Sequence, residues 1–72
     1  MKKMFKEFTV EVERNLYTSK TNIKLTNKEE MYKCTLKVGS EKEVINEMIW
    51  TIGNEPTLEE AKEYFENHKE RR

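Results

Sequence analysis

The sequence has no aspartate and no glutamine, and only one histidine, one cysteine, one proline and two glycines. Each shortage removes a class of chemistry. A lone cysteine, Cys34, cannot form an internal disulfide or a multi-cysteine zinc site, and it suits a reducing compartment. Calcium loops lean on aspartate with a glycine at the sharp turn, and phosphate-cradling loops need clustered glycines, whereas Gly39 and Gly53 stand far apart. His68 is the only imidazole, and no motif brings it to Cys34. A non-enzymatic protein is expected, with no catalytic residue, no cofactor and no metal site. No apolar run approaches the roughly 20 residues of a membrane span. The basic start, Met1 to Lys6, is followed by alternating polar residues and not by the unbroken apolar run of a signal peptide. A cytoplasmic protein without membrane contact is the expectation.

Charge is what the chain has in quantity. Of its 72 residues 39% are charged and 35% hydrophobic, so one small domain over 1–72 is expected, its spare apolar surface making a homodimer a candidate assembly. Such a domain buries roughly 60% of the surface that the unfolded chain exposes. The net charge of zero conceals a division: residues 1–40 hold nine Lys or Arg against five Glu, and residues 41–72 hold five against nine. All fourteen acids are Glu, and Lys and Asn are plentiful, the bias expected of an AT-rich bacterial or phage gene.

The division coincides with a change of period. Phe8, Val10 and Val12 alternate with Thr9 and Glu11, and Tyr32, Cys34, Leu36 and Val38 alternate with Lys33, Thr35 and Lys37, the two-residue period of half-buried strands. Ile23 and Leu25 repeat it over a shorter stretch. Asn15–Ser19 and Asn27–Glu30 read as connections, which predicts a three-stranded antiparallel meander. Glu7, Glu11 and Glu13 then point outward with Lys20, Lys24, Lys33 and Lys37, so opposite charges are expected to meet across strands.

Beyond Gly39 the period becomes helical. Ser40 with Glu43 forms a capping box, Val44, Ile45, Met48, Ile49 and Ile52 follow at helical spacing, and Gly53 suits the left-handed position past a helix end. The rival reading of residues 41–52 is a fourth strand, since Val44, Ile45, Ile49, Trp50, Thr51 and Ile52 are good strand formers and Gly39 with Ser40 can turn a hairpin. Thr57 with Glu60 forms a second capping box, and Leu58, Ala61, Tyr64, Phe65 and His68 share one helical face. Early Glu and late Lys69, Arg71 and Arg72 suit the helix dipole. The expected object is an α+β domain, a small antiparallel sheet of three or four strands covered on one face by one or two C-terminal helices.

Two surfaces compete for function. On a helix over 41–52, Trp50 lies opposite the apolar face, and exposed tryptophan is enriched at binding hot spots. Glu59, Glu63, Glu66 and Glu70 follow one another on the next helix as an acidic stripe that can meet a basic protein partner. These residues carry the preferred reading, a small accessory protein that binds an unknown protein or dimerises through its helical side. Nucleic acid is the less favoured partner, held by Lys20, Lys24, Lys33 and Lys37 on the sheet, because the outward positions of the second and third strands carry no aromatic for base stacking. A subunit completing another protein's active site is a third reading.

Overall fold

Two structural layers sort the charges. A computed structural model of the chain describes residues 1–37 and 40–69; the expectations for Val38, Gly39, Glu70, Arg71 and Arg72 lie outside the described residues. The fold is α+β: four antiparallel strands in the order β1 (Lys2–Met4), β2 (Thr9–Asn15), β3 (Lys20–Thr26), β4 (Met31–Leu36), then helices α1 (Glu41–Ile52) and α2 (Leu58–His68). Pairing sets Val10 opposite Leu25 and Val12 opposite Ile23, with Ile23 opposite Cys34 and Leu25 opposite Tyr32, so the alternating apolar positions fall on one face. Both helices cover that face, α1 against β2 and α2 against β4, with the helices touching each other.

The core between the layers joins Phe8, Val10, Val12, Ile23, Leu25 and Leu36 of the sheet half to Val44, Ile45, Met48, Leu58, Ala61, Tyr64 and Phe65 of the helices. Phe65, Met48, Val10 and Leu25 are 0% exposed. Among the described residues no buried side-chain nitrogen or oxygen lacks a partner.

Residues 41–52 form a helix, so the strand reading of this segment is overturned. The reason is local: the Glu43 N–H donates to Ser40 Oγ at 3.3 Å and the Ser40 N–H to Glu43 Oε2 at 3.5 Å, a capping box that satisfies orphan donors only in a helix. The second box is present too, with the Glu60 N–H donating to Thr57 Oγ1 at 3.2 Å and the Thr57 N–H to Glu60 Oε1 at 3.0 Å. Gly53 ends α1 with φ 99° and ψ 174°, an extended backbone of positive φ that is nearly reserved for glycine and not the left-handed helical turn expected, while its N–H donates to Ile49 O at 2.9 Å.

The fourth strand lies at the other end of the chain. β1 is three residues long and exposed throughout, so no alternation marks it. Pairing holds it: Lys2 lies opposite Glu11 and Met4 opposite Thr9, Val12 N donates to Met1 O at 2.7 Å, and Phe5 N donates to Phe8 O at 2.8 Å in the turn. Phe5 stacks on Phe8 with ring centroids 5.1 Å apart. The N-terminal ammonium also donates to Val12 O at 2.8 Å and sits 3.2 Å from Glu41 at the start of α1. That ammonium, then the Arg14 backbone N–H, holds the Glu41 carboxyl below the usual range.

Candidate functional site

The face of the sheet away from the helices is open, and the register decides what it shows. One row across all four strands reads Lys2, Glu11, Lys24, Lys33, the next Glu13, Asn22, Thr35, and another Met4, Thr9, Thr26, Met31. The expectation that opposite charges meet across strands is met at Glu11, which pairs with Lys24 at 3.6 Å and stands opposite Lys2 of β1. Lys33 instead stands directly opposite Lys24, and like charges in that position oppose pairing. Glu13 faces Asn22, and Glu7 lies in the β1–β2 turn.

Three of the four lysines singled out for nucleic acid, Lys20, Lys24 and Lys33, therefore share the open face. Lys37 does not join them. It lies past the end of β4 and lines a groove between the helices with Glu43, Glu47, Tyr64 and His68. Aromatic surface escaped the strand pattern because it sits in a turn: Leu16 and Tyr17 are fully exposed at the β2–β3 tip. Asn15 Oδ1 accepts from the Tyr17 N–H at 2.9 Å and the Thr18 N–H at 3.2 Å, and Ser19 takes a left-handed φ of 59°, so the tip is a built Asx turn.

On the helical side Trp50 is 91% exposed, while Val44, Ile45 and Met48 of the same helix are buried and Ile49 and Ile52 pack against the core. Between Glu41 and Lys69 there are eight Glu against three Lys. Glu59 and Glu63 are exposed, as the stripe requires, although Glu59 lies 3.7 Å from Lys62. Glu66 departs from the stripe. Its carboxylate accepts the Tyr32 hydroxyl from β4 and pairs with Lys69 at 2.9 Å, so it fastens α2 to the sheet and does not point freely outward. Lys62 reinforces that seam by donating to Glu30 at 2.9 Å, which raises the Lys62 ammonium above its usual value.

The Tyr32, Cys34, Glu66 and Lys69 cluster was not legible from spacing, since it joins residues more than 30 positions apart. Burial first, then the hydrogen bond to Glu66, pushes the Tyr32 phenol well above its ordinary value of 10.0. Burial also pushes the Cys34 thiol up, with the Tyr32 hydrogen bond acting in the opposite direction. A raised pKa makes Cys34 a poor nucleophile. The folded chain retains the Tyr32 proton to higher pH than the unfolded chain, so its contribution to stability is complete below pH 10.0 and is lost as pH rises toward the folded value. Urea unfolding followed across that range should show a steeper alkaline decline for the natural chain than for Tyr32→Phe, with Tyr64, also raised by burial, accounting for a remainder. Identical pH profiles would contradict the Tyr32 assignment.

His68 is exposed and stacked on Tyr64 at 4.2 Å, its Nδ1 lying 2.7 Å from Tyr64 O. It lines the grooves between the helices, whereas Cys34 lines depressions on the sheet. Among the described residues no group of three or more His, Cys, Asp or Glu is placed to hold a metal ion, and no helix is long and apolar enough to cross a membrane. Comparison with protein-family models, with curated proteins and with solved structures finds no match to this chain.

Proposed function

We propose that the chain is a non-enzymatic binding module that engages a protein with a basic surface through its helical layer, with Trp50 as the anchor and the exposed Glu47 and Glu63 as accompanying charge. The observation that carries this reading is the 91% exposure of Trp50 on a helix whose opposite side completes the core. A tryptophan costs little conformational entropy to fix and presents a large apolar surface, so burying it at an interface is favourable where burying a lysine is not. Nothing in the packing of α1 needs it there. The acidic surroundings add on-rate and partner choice more than affinity, and they oppose a two-fold dimer through the same face, because two copies would bring like charges together.

The test is site-specific crosslinking in the native host with a photoreactive phenylalanine analogue at position 50. One crosslinked protein with a basic surface is expected, and its yield should fall when Glu47 and Glu63 are both replaced by Lys. Capture of a protein without such a surface, or yield indifferent to the charge reversals, would end the proposal. Crosslinking to a second copy of the chain would replace it with self-association.

A further inference from the structure

The open face of the sheet is a second surface, independent of Trp50, and it has an unusual internal cost. Lys24 and Lys33 stand side by side across β3 and β4, with Lys2 in the same row, and one Glu is set among the three lysines. Three shallow depressions tile this face and share residues: one contains Lys2, Lys6, Lys24 and Lys28, the next Lys24 and Lys33, the third Lys20, Lys33 and Lys69. Glu7, Glu11 and Glu13 line the first two as well, so seven lysines meet three glutamates and the face from the β1–β2 turn to the β2–β3 tip is net positive. Bringing an anion onto the face removes the repulsion that the register creates.

We infer that this face binds single-stranded nucleic acid, the lysines following its phosphates. The two central rows, Lys2–Glu11–Lys24–Lys33 and Glu13–Asn22–Thr35, carry no aliphatic or aromatic side chain, and Met4 and Met31 stand only at the two ends of the flanking row, whereas a protein interface needs an apolar centre. A polar surface of net positive charge is the character of nucleic-acid interfaces. Asn22 adds a donor: its Oδ1 accepts the Thr35 hydroxyl at 3.1 Å, and its amide N–H groups can donate to a phosphate. At the end of the track Tyr17 presents both ring faces on a braced turn, a platform for one base. A single strand is preferred to a duplex, because Tyr17 can stack only on an unpaired base and the four-stranded face is broader than the two-stranded ribbon that a major groove admits.

The experiment is fluorescence anisotropy with labelled oligo(dT), oligo(rU) and a duplex, each titrated at two salt concentrations. Four phosphate contacts, from Lys2, Lys20, Lys24 and Lys33, predict an affinity loss of about fifty-fold between 50 and 200 mM salt, each contact adding about 0.7 to the slope. The double variant Lys24→Gln/Lys33→Gln should lose only about seven-fold over the same interval and bind more weakly at low salt. Its urea midpoint should stay level or rise, since a repulsive pair has been removed, which separates lost binding from lost folding. Tyr17→Ala should weaken binding without changing the salt slope, and Trp50→Ala should leave it untouched. Absence of oligonucleotide binding at low salt, equal binding of duplex, or an unchanged slope in the double variant would overturn the inference. Displacement of the oligonucleotide by polyglutamate at equal charge would reassign the face to acidic protein segments.

Discussion

Phe65→Ala is expected to lower stability by about 3–5 kcal/mol, the range for removing a fully buried ring and leaving a cavity. Phe65 is 0% exposed and heads the fully buried side chains by volume. Its ring meets Tyr64 edge to face, with centroids 5.1 Å apart and planes at 78°, so the loss includes an aromatic pair as well as transfer of the ring. A chain of this length has a total stability of roughly 4–11 kcal/mol, which places the variant at the edge of folding at room temperature. Equilibrium unfolding in urea, followed by circular dichroism, reads the effect directly. Phe65→Leu should remain folded with a smaller loss, and an unchanged midpoint in Phe65→Ala would mean that α2 is not seated on the sheet as described.

Trp50→Ala should do the reverse, leaving unfolding within about 0.5 kcal/mol of the natural chain, as for a surface site. In the proposed complex the same change should cost at least about 2 kcal/mol, roughly thirty-fold in affinity, the scale of a hot-spot residue. The two variants form a matched contrast: both delete a large aromatic, one from the middle of the core and one from the solvent side of a helix. Because Trp50 is the only tryptophan, its fluorescence supplies a third measurement. Acrylamide should quench it readily in the free chain and poorly once the partner covers it. A free chain in which Trp50 is already protected, or a Trp50→Ala variant that unfolds like Phe65→Ala, would place the residue in the interior.

Local signals carried the helices. The Ser40/Glu43 and Thr57/Glu60 boxes are four-residue features whose hydrogen bonds close within one turn, and the strong strand formers of residues 44–52 did not outweigh them. The exposure of Trp50 followed from the helical period alone. Glu66 shows what the period leaves out: a helical wheel gives a direction, but a long tyrosine on the edge strand can reach around to meet it. The β1 strand carries no signal of its own, because three exposed residues have no period to detect and only pairing with β2 holds it.

By itself the sequence determined the α+β class, the face that β2, β3 and β4 bury, the capping boxes that start both helices and the division of charge between the two halves. All of these depend on residues within a few positions of one another, where spacing and backbone geometry are fixed. Tertiary structure alone decided which lysine faces which, that Lys37 turns to the helices, that Glu66 ties α2 to β4 and that Tyr17 stands exposed at the β2–β3 tip. Alternation settles which way a side chain points, but register between strands and reach between layers arise only when distant segments pack, and there the chemistry of both surfaces is set.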